Sequence, residues 1–190
     1  MSLHVDGQKI AGKRLELLRE IAPQVNHIAA PFDPRNPPEV IHFHELETVA
    51  RQLKGISIVR IEIPDAKAVE QVLAQKVDSK VDALLVHEGG TAYVARRQVV
   101  AFAASRSLPM ICGDRLFVEA GCLMSYGSQP EEQTRRAADY VDRIFKGAKP
   151  ADLPVEQPSV FELAINKKTA GALGIKFPQS ILIRADKVIE

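Results

Sequence analysis

Val81-Asp82-Ala83-Leu84-Leu85-Val86-His87-Glu88-Gly89-Gly90-Thr91 decides the fold. Its first six residues are almost wholly apolar and too few for a free-standing helix, which is the composition of a strand buried on both faces. Such a strand belongs to a parallel sheet. The glycine pair behind it marks a turn into a crossover connection. Helical period then resumes, because Ala95, Val99, Phe102 and Arg106 share one side of a helix expected over Ala92 to Arg106. One βα unit is therefore legible from this stretch alone.

The same alternation extends in both directions. Upstream, Ile10, Leu17, Leu18 and Ile21 recur at helical spacing, Val25 to Ala30 reads as a strand, and four prolines punctuate a loop from Pro31 to Pro38. Phe43, Leu46, Ala50 and Leu53 mark a second helix closed by Gly55, followed by a β-branched strand from Ile56 to Ile63. Asp65 is placed to cap a helix running to Lys76. Downstream come a strand at Pro109 to Cys112, a short helix at Leu116 to Ala120 and a strand at Leu123 to Ser125. Strands alternating with helices predict a doubly wound α/β fold, a five-stranded parallel sheet of order 2-1-3-4-5. Residues 1–127 form this lobe in the sequence reading. Residues 128–190 form a C-terminal appendage: a helix from Gln133 to Lys146, an extended connector from Lys149 to Pro158, a strand from Phe161 to Ile165, a helix from Lys167 to Leu173 and an apolar piece at Ile181 to Ile183.

Composition narrows the function classes. With 190 residues, 46% hydrophobic and 26% charged, the chain has the make-up of a globular domain rather than a disordered or fibrous one. Its 25 Lys+Arg against 24 Asp+Glu leave no basic field, so nucleic acid is not an expected partner. No apolar run approaches the roughly 18 residues that span a bilayer, and the N-terminus carries no signal-peptide pattern. Cys112 and Cys122 are too few for a disulfide framework and read as buried thiols.

Several constellations invite chemistry. His42, His44, Glu45 and Glu47 suggest a metal, but i and i+2 on a helix point apart and a zinc site needs three or four ligands, so no metal is expected. Cys112 near His87 suggests a cysteine hydrolase, but Ile111-Cys112-Gly113 is no nucleophile elbow, and no catalytic residue or cofactor is assigned. Gly89-Gly90-Thr91 lacks both the dinucleotide and the Walker pattern, yet free N–H groups at a helix start favour an anion such as a carboxylate. Ligands of parallel α/β sheets bind outside the carboxyl ends of the strands. That rule gathers Asp33, Glu88, Gly89, Gly90, Thr91, Asp114 and Tyr126 as candidate ligand-binding residues, with Asp114 and Glu88 set to face an ammonium. Acids beside N–H donors suit an amino acid or a related zwitterion.

Lys13-Arg14-Leu15-Glu16-Leu17-Leu18-Arg19-Glu20, Val81 to Val86 and Gly121-Cys122-Leu123-Met124-Ser125-Tyr126-Gly127 resemble segments of ABC-transporter substrate-binding proteins, in the family that includes tryptophan and tyrosine binders. The tail resembles that family's end more closely still: Lys146 to Pro158, Phe161-Glu162-Leu163-Ala164-Ile165-Asn166 and Arg184 to Glu190. The resemblance implies a type I periplasmic-binding-protein fold, in which two α/β lobes close on a ligand. Two lobes need on the order of 250 to 300 residues. The expectation is therefore the second lobe and the C-terminal return segments only, with the export signal and first lobe absent. It also implies a hinge crossing at Ser125-Tyr126-Gly127, a small organic solute as ligand, an ABC permease as partner of the full-length protein, and a periplasmic location. Cys122 and the Pro31-rich loop depart from the family pattern. The alternative reading is an effector-sensing domain of a transcriptional or signalling regulator, since the bilobal fold serves there too. Finally, the stripe Ala137, Val141, Ile144 and Phe145 loses its cover without a first lobe, which predicts a homodimer through the C-terminal segment.

Overall fold

The computed structural model describes residues 7–154, 158 and 160–190. Strand β3 (Ala83–Val86) is buried throughout and lies inside a seven-stranded sheet. Its neighbours are β1 (His27–Phe32) on one side and β4 (Met110–Cys112) on the other, both parallel to it. β2 (Ser57–Glu62) pairs with β1 from His27↔Ser57 to Phe32↔Glu62, and β5 (Met124–Ser128) pairs with β4. The first five strands thus run parallel in the expected order 2-1-3-4-5.

Pleating explains why β3 reads as continuously apolar. Ala83 and Leu85 join the core on one face, where α1 (Gly7–Ile21) and α2 (Pro37–Gln52) pack. Leu84 and Val86 join the other core, under α3 (Val69–Lys76), α5 (Arg96–Ser105) and α6 (Arg115–Glu119). Both faces are dry, so both residue parities must be apolar. Cys112 and Cys122 fall in this second core, each thiol donating to the Met124 carbonyl at 3.3 Å. Burial pushes the Cys112 thiol up, the reverse of what a nucleophile needs.

Three elements differ from the sequence reading. Pro31 and Phe32 belong to β1 rather than to a loop: β1 pairs with β3 only at Ile28 and Ala29, so the donor that Pro31 lacks is not demanded on that side. The prolines at 37 and 38 open α2 instead of preceding it, since the first turn of a helix needs no N–H partner. The helix expected over Ala92 to Arg106 is two, α4 (Gly90–Val94) and α5, broken at Ala95.

The tail is not peripheral to the sheet. β6 (Phe161–Asn166) pairs antiparallel with β5 from Met124↔Ile165 to Ser128↔Phe161, and β7 (Lys187–Ile189) adds parallel to β6. Without them β5 would present an unpaired edge. The apolar piece Ile181 to Ile183 is helical, in α9 (Gln179–Arg184), with Ile181 buried and Ile183 exposed. α8 (Lys167–Ala172) connects β6 to it, starting at Asn166, whose side chain accepts from the Thr169 N–H at 2.9 Å. Between β5 and β6 runs α7 (Pro130–Phe145), in which Tyr140 is buried and its hydroxyl donates to the Pro154 carbonyl at 2.6 Å. Of the expected connector, Val155, Glu156 and Gln157 lie outside the described residues.

Candidate functional site

A cavity of about 450 Å³ opens between α1 and α2, over the carboxyl ends of β1 and β3. This is where the sheet order reverses, with β1 leading outward to β2 and β3 leading to β4. Crossover connections diverge to opposite faces at such a point and leave a crevice. The volume falls within the range of small-molecule pockets.

Helix α1 turns Gly7, Ile10, Ala11 and Arg14 toward this space, the i, i+3, i+4, i+7 face of the helix. Arg14 is 2% exposed. Its Nε donates to the Tyr126 carbonyl at 2.7 Å, and its Nη2 pairs with Glu88 Oε2. A buried guanidinium is tolerable only when so satisfied. The close approach needs Gly113, where a Cβ would sit 1.8 Å from Glu88 Oε2 and 2.7 Å from Arg14 Nη2.

His87 lies beside Glu88 at the end of β3, and its Nδ1 is 2.6 Å from the Glu88 carbonyl. Burial lowers its pKa to about 4, Arg14 adding to the effect while the Glu88 carboxylate opposes it. The imidazole is therefore neutral near pH 7, and the 3.5 Å approach of its Nε2 to Glu88 is not an ion pair there. Burial alone would raise Glu88; the charges of Arg14 and His87 and its hydrogen bonds overcome that and hold it at about 2. The His87 and Glu88 side chains keep 21% and 29% of their surface open, so both remain within reach of a ligand.

Helix α2 supplies the facing wall. The His42 ring stacks on His87 with centroids 3.8 Å apart at 21°, and Phe43 stacks on Phe32 at 4.4 Å. Glu39 is 5% exposed and accepts from the Asp33 N–H at 2.9 Å and from Asn36 Nδ2 at 2.8 Å. Glu45 completes this side, and Gln133 of α7 closes over Ser128 with Nε2 2.5 Å from its hydroxyl. His44, two residues from His42, points the other way, 60% exposed and 3.4 Å from Glu47. Among the described residues no group of three or more metal-ligating side chains occurs.

Of the residues expected at the site, Glu88 lines the cavity, with its charge matched by Arg14. Asp33 sits just behind Glu39, bonded to Arg35 and, at 3.2 Å, to the Thr91 hydroxyl. Gly89 and Gly90 open α4 with φ of +86° and +67°, and a Cβ on Gly90 would meet Glu39 Oε1 at 1.6 Å. The Gly89 to Thr91 turn therefore braces Glu39 rather than lining the cavity. Asp114 caps α6, accepting from the Leu116 N–H at 2.7 Å, and it too lies off the cavity wall. Tyr126 contributes its carbonyl to Arg14, while its ring stacks on Phe161 at 5.8 Å.

Sequence reasoning passed over Arg14, Glu39, His42, Glu45 and His87 as wall residues. A signal was present for Arg14, a charge on the apolar stripe of Ile10, Leu17, Leu18 and Ile21. The i, i+3 pair His42 and Glu45 carried no comparable signal, since nothing local says which side of α2 meets a cavity.

A family model described as ABC transporter substrate binding protein matches residues 4–189. The ABC domain from Streptococcus pneumonia in complex with L-Trp superposes with a TM-score of 0.88 at 28% identity, covering 95% of this chain and 60% of that one. A conserved domain protein from Vibrio cholerae gives 0.88 at 27% identity, covering 94% and 60%. A ligand-free, open substrate-binding protein with adhesive properties from Clostridium difficile gives 0.71 at 22% identity, covering 93% and 59%, and shows the fold alone. This chain thus spans about three-fifths of the length of the structures it matches. No similar sequence is found among the curated proteins. The regulator alternative gains no support from these matches. The family binds solutes, is not enzymatic and is typically extracytoplasmic. This chain belongs to the family of ABC transporter substrate-binding proteins.

Proposed function

We propose that the chain is the ligand-holding lobe of a periplasmic receptor that delivers a small organic solute, with an amino acid as the favoured class, to an ABC permease. The observation that carries the reading is the cavity at the β1/β3 reversal, apolar on most of its wall and furnished with a few fixed polar groups. Such a wall selects by shape and orients by hydrogen bonds. In this reading residues 1–127 form the lobe and residues 128–190 the crossover helix and return strands. Thermal-shift and calorimetric titration of the chain with the twenty amino acids and a set of monosaccharides tests it. Binding of at least one amino acid at millimolar concentration or below is expected. Saturable binding of sugars alone would replace the ligand class, and binding of neither would remove the solute-receptor reading.

The same proposal includes a homodimer through the C-terminal segment. On α7, Val141, Ile144 and Phe145 are 50%, 39% and 86% exposed. Burying such side chains is worth roughly 1.5 to 3 kcal/mol each, a gain that a second copy would supply. Light scattering is expected to give a dimer at micromolar protein. A concentration-independent monomer would overturn it.

A further inference from the structure

The chain crosses out of the sheet from β5 into α7 and returns into β6, and Arg115 reaches both crossings. It is the first residue of α6, whose start is fixed by the Asp114 cap. All three nitrogens of its guanidinium are engaged: Nη2 with Glu131 in the first turn of α7 at 2.7 Å, Nη1 with Glu162 of β6 at 3.1 Å, and Nε with Glu119 on its own helix at 3.2 Å. A rigid planar fork holds carboxylates at fixed angles, which an ammonium on a flexible stem does not. Beside it the Gln129 N–H donates to the Val160 carbonyl at 3.4 Å, and Gln133 bonds Ser128. Farther along α7, Tyr140 is buried, and its hydroxyl goes to Pro154 in the connector that follows the helix. A helix of 16 residues is about 24 Å long, so a turn of about 10° at its root moves its far end by about 4 Å. Glu131 stands at that root, two residues before Gln133, which lines the cavity.

We propose that Arg115 is a positioning residue, a bracket that fixes the direction in which α7 leaves the sheet and so holds Gln133 over the cavity. Its role is directional rather than stabilising. Ion pairs open to water add little to stability, and the Arg115 and Glu131 side chains are 29% and 66% exposed. Direction is open to such a weak device because Val141, Ile144 and Phe145 of α7 are exposed and make no competing packing with the lobe. The bracket is also releasable, since one cation serves three carboxylates within reach of salt. The inference goes beyond the receptor reading and does not depend on which solute the cavity takes.

Spin labels on Gln75→Cys of α3 and Ala138→Cys of α7, both exposed positions, test it in the full chain by double electron–electron resonance. Cys112 and Cys122 are buried and stay unlabelled, and an excess of unlabelled chain confines the reading to distances within one molecule. Arg115→Gln and Glu131→Gln are each expected to widen the distance distribution about twofold or more while the melting temperature holds. Glu119→Gln, which leaves both crossing links in place, is expected to leave the width unchanged. Raising salt from 0.1 M to 1 M, which shortens the screening length from about 10 Å to about 3 Å, is expected to widen the distribution of the unmodified bracket and not that of Arg115→Gln. An unchanged width in both Arg115→Gln and Glu131→Gln overturns the bracket, as does equal widening by Glu119→Gln. Should Arg115→Gln fail to fold, Glu131→Gln at its exposed position still decides. No solute is added, so failure here leaves the solute-receptor reading standing.

Discussion

Helices α1 and α7 have similar sequences in outline, 15 and 16 residues with apolar side chains recurring on one side, and their fates differ. In α1 the stripe is gone from solvent: Leu15 and Leu18 are 0% exposed, held between the sheet and α2. In α7 the stripe faces outward, with Phe145 at 86%. Arg14 sharpens the contrast, because α1 buries even a guanidinium, whereas charges of α7 such as Arg135 and Asp142 sit in water, paired with Glu132 and with Lys146 at the helix end. Amphipathic periodicity therefore says that a helix has a side to cover, and only tertiary packing says whether the cover is in the same chain.

Four measurements break or sharpen that comparison. The largest effect is expected from Arg14→Ala, which leaves Glu88 beside a cavity with its charge uncompensated; about 3 to 5 kcal/mol of unfolding free energy should be lost in urea denaturation. Arg14→Met with Glu88→Leu should recover most of it, and a loss under about 1 kcal/mol for Arg14→Ala alone would place the pair with surface ion pairs. Next comes Leu18→Ala, at a 0% exposed position, expected to cost about 2 to 5 kcal/mol by cavity formation.

The third measurement is pH. His87 titrates at about 4 in the fold against 6.5 in the unfolded chain, so the unfolded state takes up the proton first. Its contribution is fully present above pH 6.5 and is lost as pH falls toward 4, with a slope of at most about 1.4 kcal/mol per unit. Glu88, held at about 2 against 4.5, adds a second loss below pH 4.5. His87→Asn should flatten the first phase in denaturant titrations at pH 7, 6 and 5, and a wild-type profile flat over that window would contradict the buried neutral imidazole. The smallest effect is reserved for α7: Phe145→Ala should change monomer stability by under about 0.5 kcal/mol while reducing the mass measured by light scattering. A loss of several kcal/mol instead would mean that the α7 stripe is covered by its own chain.

The fold was readable in advance where period and composition agree. Val81 to Val86 announced a strand buried on both faces, and the βα alternation fixed the order of five strands, because right-handed crossovers allow few alternatives. Boundaries were misread where a rule has a positional exception: proline stops a helix interior but starts one at Pro37, and it stops a ladder except where the neighbour has already left, as at Pro31. The strand Lys187–Ile189 went unseen since three residues carry no period.

For the site, the sequence by itself determined the edge of the sheet on which to look, the acids available there and the family. It could not decide which acids work as braces and which face the cavity. Asp114 became a helix cap and Asp33 a support for Glu39 through hydrogen bonds set by local backbone geometry, while Arg14, 74 residues from Glu88, reached it only because α1 packs against β4 and β5, beside the strand that Glu88 follows. Local propensity acts over a few residues and leaves its mark in the sequence. The pairing of buried charges is set by which surfaces meet when the layers close, and that only the tertiary structure decided.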